Sequence, residues 1–93
     1  MKVILISEDN HGQIGVALNY YNAVEWLIDN NWITYCTEVF DEIEGKWIPL
    51  IDRLGDNWAS EMLYEWDIDK FNTFWNCYFR LTLVEVIGTE EAG

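Results

Sequence analysis

Bases are the scarcest common side chains in this chain: five Lys and Arg stand against seventeen Asp and Glu, for a formal charge of −12. A field of that sign repels polyphosphate backbones and anionic bilayers, which argues against direct nucleic-acid binding and membrane attachment. Cysteine is nearly as sparse. Cys36 and Cys77 make no close C-x-x-C pair and lack a third or fourth partner for zinc, so they read as free buried thiols in a reducing compartment. No apolar run nears the roughly 18 residues needed to cross a bilayer, and Met1-Lys2-Val3 runs straight into a strand pattern without signal-peptide character. The expectation is a soluble intracellular protein. With a single His and no assembled nucleophile, an enzyme is the least favoured class, and neither cofactor nor metal site is expected. Linkers rich in Pro, Gly or Ser, internal repeats and low-complexity segments are all missing, so residues 1–93 read as one domain with a frayed acidic tail at 88–93.

Apolar residues, by contrast, make up 51% of the chain and aromatic ones 16%, which excludes intrinsic disorder despite the charge. A domain of this length buries about 60 to 70% of its unfolded surface. Residues 2–32 form the organising unit. Val3-Ile4-Leu5-Ile6 is a β-branched run suited to a strand covered on both faces, Asp9-Asn10-His11-Gly12 concentrates turn formers, and Ile14, Val16 and Leu18 alternate as a half-buried hairpin partner would. Asn19 is placed to cap a helix over 20–30, whose inner face carries Tyr20, Ala23, Val24, Leu27 and Ile28. Asn30-Asn31 ends it, and Trp32 and Ile33 tuck back beneath it.

Farther on, residues 37–41 and 46–48 flank Glu44-Gly45 as a second hairpin, Pro49 opens a short helix and Gly55 closes it. Asp56 or Asn57 is positioned to cap a further helix bearing Trp58, Met62, Leu63 and Trp66, and Asp67 or Asp69 one bearing Phe71, Phe74 and Trp75. Residues 78–87 form a last strand, with Phe79, Leu81 and Leu83 on one face, that pairs beside the first. The fold class is α+β: a small, mainly antiparallel sheet made of the N-terminal hairpin and the C-terminal strand, covered by three or four short helices.

Ser7, Glu8, Asp9 and His11 come together only as neighbours at a strand end, which project in divergent directions, so they read as a turn. Gly12-Gln13-Ile14-Gly15 lacks the lysine of a phosphate loop and precedes a strand; Gly15 instead permits close packing against the hairpin. Two acidic stretches stand out. In the first, Glu38, Asp41, Glu42 and Glu44 crowd seven residues, with strand alternation putting Glu38 and Glu42 opposite Asp41; a solvated, charge-protected edge explains them as readily as a binding role. In the second, Glu61, Glu65, Asp67 and Asp69 have no intervening base, and Glu61 and Glu65 lie one helical turn apart, repelling by a few tenths of a kcal/mol. Solubility accounts for such charge, and so does an acidic surface complementary to a basic protein. Trp26 and Tyr64 fall off the apolar stripes of their helices and read as partly exposed anchors beside the acids.

The opening from Met1-Lys2-Val3 through Ser7-Glu8 and His11-Gly12-Gln13-Ile14-Gly15-Val16-Ala17, with Asn31-Trp32, Trp47-Ile48-Pro49-Leu50, Gly55-Asp56-Asn57-Trp58 and Asp67-Ile68-Asp69-Lys70-Phe71-Asn72, resembles small, acidic, uncharacterised phage and prophage proteins of Gram-positive bacteria. In general character the chain is also similar to anti-CRISPR and other anti-defence inhibitors. These resemblances imply the cytoplasm of a bacterial host and a non-enzymatic inhibitor acting by nucleic-acid mimicry. Its partner would be a basic, nucleic-acid-handling host protein such as an RNA-guided nuclease. The alternative is a structural or assembly protein that self-associates, as a homodimer for example, through exposed aromatics.

Overall fold

The computed structural model describes residues 1–76 and 78–87; Cys77 and the expected tail at 88–93 lie outside them. Within these bounds the chain runs β1 (Lys2–Glu8), β2 (Gly12–Ala17), α1 (Tyr20–Asp29), β3 (Glu38–Asp41), β4 (Lys46–Pro49), α2 (Leu50–Leu54), α3 (Trp58–Ser60), a π-helical segment (Glu61–Glu65), α4 (Ile68–Trp75) and β5 (Phe79–Glu85). The architecture is α+β. β1 is the central strand of an antiparallel sheet of order β2-β1-β5, so the last strand does pair beside the first, and β3-β4 is a separate hairpin.

Register decides which side of the sheet meets the helices. Ile4 and Ile6 pair with Leu83 and Leu81 on β5 and with Ala17 and Gly15 on β2, and both isoleucines are buried in the main core with Leu81, Val24, Leu27, Phe71 and Trp75. Val3 and Leu5 point to the other face, beside Val84, Thr82 and Val16, and are not part of that core. The expectation that β1 is covered on both faces is therefore corrected: the core cluster takes Ile4 and Ile6 alone from β1, although Val3 is also buried. The expected inner face of β2 holds for Ile14, which is half-buried against the core, and is corrected for the rest. The pairing shifts at a bulge between Ile6 and Ser7, past which Gly15 and Ala17 pair with the buried Ile6 and Ile4, while Val16 is 52% exposed and Leu18 is exposed. The Trp26 ring packs over Gly15, its carbons 3.2 to 3.3 Å from where a Cβ would stand. Only glycine lets α1 approach so closely.

Local signals set the helix ends. The Asn19 side chain accepts the Asn22 N–H at 2.8 Å, and Asn31 takes the left-handed conformation at φ 63° just past α1. Trp32 and Ile33 donate back to the Leu27 carbonyl, and Ile33 is fully buried. Asp67 caps α4 by accepting the Lys70 N–H at 2.9 Å. Asn57 precedes α3 but makes no side-chain cap, and the regular helix expected to carry Trp66 instead widens into π geometry and ends, leaving Trp66 extended at φ −102° and ψ 158°. On α4, Asn72 uses its whole amide: Nδ2 donates to the Leu81 carbonyl at 2.9 Å and Oδ1 accepts the Leu81 N–H at 2.8 Å. It thus closes part of the outer edge of β5 as another strand would.

Candidate functional site

The acids with the most organised surroundings sit where α1 crosses the π-helical segment. Tyr20 Oη donates to the Met62 carbonyl at 2.7 Å and stacks edge-on against Phe71 at 6.2 Å, which ties the two elements together. Beside it, Tyr21 and Tyr64 bring their hydroxyls to 3.4 Å and their rings to 5.6 Å, although Tyr64 is 68% exposed. That hydrogen bond and the Tyr64 charge, followed by the carboxylate of Glu25, push the Tyr21 phenol up to about 12. Burial raises Tyr20 well above the ordinary phenol range, with Asp67 adding a negative charge nearby. Tyr21 and Tyr64 therefore meet across more than forty residues of sequence, with Glu25 beside Tyr21 and Asp67 beside Tyr20.

Tyr64 also lines a hollow of about 590 Å³ with Asn57, Ser60, Glu61, Glu65 and Trp66, and no Lys or Arg contributes to its wall. Glu61 is half-buried there and accepts the Trp66 indole N–H at 3.1 Å, while Glu65 is exposed. The π-helical turn is wider than an α turn, so these carboxylates do not hold the straight-helix spacing expected of them. No protein family, curated protein or solved structure matches this chain. The site is therefore read from its own geometry.

The remaining predicted residues divide into separate groups. Asp67 and Asp69 are exposed at the start of α4, the former occupied as its cap. On the second hairpin Glu38 is exposed on β3, Asp41 is half-buried with Oδ1 accepting the Ile43 N–H at 3.1 Å, and Glu44 lies 3.6 Å from Lys46. Glu42 falls in the turn and not on the strand, so the alternation expected to group it with Glu38 does not apply. Trp26 is half-buried, its ring over Gly15, and acts as packing for β2. The more exposed rings lie elsewhere: Phe40 and Trp47 stack across the hairpin at 5.5 Å and Trp47 continues to Tyr78 at 5.6 Å. Sequence reasoning did not single out this row, nor Tyr21, with Glu25 beside it, as the partner of Tyr64; the cross-strand pairing of Phe40 with Trp47 was the one available signal.

The strand-end group is a turn, as expected. Glu8 Oε1 accepts the backbone N–H of Asn10 and of His11, both at 2.9 Å, and lies 2.6 Å from His11 Nδ1. The His11 hydrogen bond is the main cause holding the Glu8 carboxyl below its usual range, against the opposing effect of burial. His11 in turn packs edge-on against Trp32 at 5.3 Å. Cys36 is exposed, contrary to the buried thiol expected, because it sits at the corner of a turn whose Thr37 N–H bonds the Thr34 carbonyl. Cys77 lies outside the described residues. Among the described residues, no group of three or more His, Cys, Asp or Glu is arranged to hold a metal ion, and no helix is long and apolar enough to cross a membrane.

Proposed function

We propose that this chain acts without catalysis, as an acidic binding protein for a basic, nucleic-acid-handling protein, with Glu25, Glu61, Glu65 and Asp67 around the Tyr21–Tyr64 pair as its working surface. The supporting observation is that Glu61 and Glu65 line a hollow with Tyr64 whose wall has no basic residue, while Glu25 lies beside Tyr21, the hydroxyl partner of Tyr64, and Asp67 beside the neighbouring Tyr20. An exposed tyrosine held by a second tyrosine supplies the anchor, and the carboxylates supply the rim that steers a cationic partner. Asp69 and the hairpin acids Glu38, Asp41, Glu42 and Glu44 extend the field without belonging to the same hollow. Following the phage resemblance, an RNA-guided nuclease of the host is the partner of first choice.

The test is a pull-down from bacterial lysate at low and high salt, with the recovered proteins identified. A nucleic-acid enzyme captured at low salt and released at high salt is expected; recovery of none in either condition overturns the reading. Purified partner then distinguishes site from net charge. E61K/E65K should weaken binding at least tenfold, while E90K/E91K, with the same change in net charge, should weaken it much less.

Self-association is favoured by a different observation, the exposed row Phe40, Trp47 and Tyr78. Sedimentation over a concentration range decides it: a tight dimer abolished by Trp47→Ser supports assembly.

A further inference from the structure

A groove separates β3 from α4, on the side of β3 that β4 does not cover. Residues 39–43 form one wall, Lys70, Thr73 and Phe74 of α4 with Arg53 of α2 the other, and the space measures about 510 Å³. No β4 residue reaches it. Antiparallel ladders bond at alternate residues. Leu50 N–H donates to the Thr37 carbonyl at 2.7 Å, which fixes the phase: Thr37, Val39 and Asp41 bond toward β4, and Glu38 and Phe40 turn their N–H and C=O outward. The partner opposite Glu38 is Pro49, which has no N–H to give, in agreement with that phase. The groove is thus bounded at Phe40 by an unpaired strand edge, which Glu38 continues beyond the groove.

Its other wall carries unpaired positive charge in a chain where positive charge is rare. Arg53 lies 5.8 Å over the Phe74 ring and Lys70 5.7 Å over the Trp66 ring, and those two rings are 4.9 Å apart. Among the described residues neither cation forms an ion pair, despite the excess of carboxylates. Trp75 also lines the groove, and its buried indole N–H has no acceptor among the described residues. An edge that needs a strand and two cations that need an anion face the same space. The strand wall carries two acids of its own, Asp41, half-buried with its carboxylate engaged by the Ile43 N–H, and Glu42, exposed in the turn.

We propose that this groove binds an extended peptide bearing an acidic side chain, which adds as a third strand to β3 and places its carboxylate between Arg53 and Lys70. Main-chain bonds to Glu38 and Phe40 supply affinity, and the two cations supply selectivity. The site is distinct from the acidic surface around Tyr64 and does not depend on that surface having a function.

The probe is a set of N-acetylated, C-amidated hexapeptides of alternating Val and Thr with one Glu at each position in turn, and their Gln counterparts, titrated into the full chain and followed by amide NMR. At least one Glu peptide should bind tenfold or more tightly than its Gln counterpart, shifting the Glu38 and Phe40 amides and slowing their exchange. N-methylating the pairing amides of that peptide should cost tenfold or more. Arg53→Gln should erase the Glu preference; Lys70→Gln is the second variant, and each is checked for an unchanged amide spectrum. Equal binding of Glu and Gln peptides, binding that requires a free C-terminus, the same shifts with acetate alone at equal affinity, or no binding at millimolar peptide would each overturn the proposal.

Discussion

Tyr21 shows how one neighbour sets the chemistry of a surface side chain. Its hydroxyl faces that of Tyr64 at 3.4 Å, with Glu25 adding negative charge, so the phenolate is disfavoured and ionisation moves from the usual 10.0 to about 12. Tyr64→Phe should return the Tyr21 transition toward 10.0, read from the phenolate absorbance in an alkaline titration; an unchanged profile would show that Glu25 alone governs it. Glu8 provides the acid counterpart. Because its folded carboxyl ionises below the usual 4.5, it adds stability that is present above that value and lost as pH falls through the folded one. Glu8→Gln should therefore flatten the acid limb of stability against pH, measured by thermal unfolding below about pH 5. At this scale the sequence is informative where a residue sets its own local backbone. Asn19 and Asp67 do so as side-chain caps, and Asn31 and Gly45 by taking positive φ, in their expected places.

Elements depend on packing that crosses many residues, and there the sequence is less complete. Trp58, Met62, Leu63 and Trp66 follow an α-helical spacing, yet the segment turns π-helical at Glu61 and Trp66 lies beyond it in extended backbone. The Met62 carbonyl receives the Tyr20 hydroxyl of α1 there, and Glu61 accepts the indole N–H of Trp66 just past the segment. The strand β5 depends on a helix in a similar way. Asn72 satisfies both backbone groups of Leu81, so Asn72→Ala leaves a donor and an acceptor without partners and should cost about 1–3 kcal/mol in chemical denaturation. Faster hydrogen exchange at Leu81 than at its neighbours would locate the effect. A loss below about 0.3 kcal/mol would show that water replaces the clamp.

Over the whole molecule, charge opposes compactness. Seventeen acids and five bases repel one another on balance, and among the described residues only Glu8, Glu44 and Glu85 have an ion-pair partner. Raising sodium chloride from about 10 mM to 0.5 M shortens the screening length from roughly 30 Å to a few ångströms. Melting temperature should rise by several degrees as self-repulsion fades. A fall instead would mean that the few attractive pairs outweigh the repulsion. The same salt series should weaken capture of a basic partner, so stability and binding are expected to respond in opposite directions.

The sequence by itself determined the α+β class, the two hairpins, the capped helices and the need for glycine at position 15. Each follows from short-range chemistry: strand alternation, turn conformations, caps and side-chain size. Tertiary structure alone decided that Gly15 and Ala17 pair with the buried Ile6 and Ile4 while Val16 is exposed, that Tyr21, with Glu25 beside it, meets Tyr64, and that Arg53 and Lys70 face the free edge of β3. These outcomes depend on the depth and angle at which helices settle on strands distant in sequence. Local pattern records which side chains are available for such contacts; only packing brings them together.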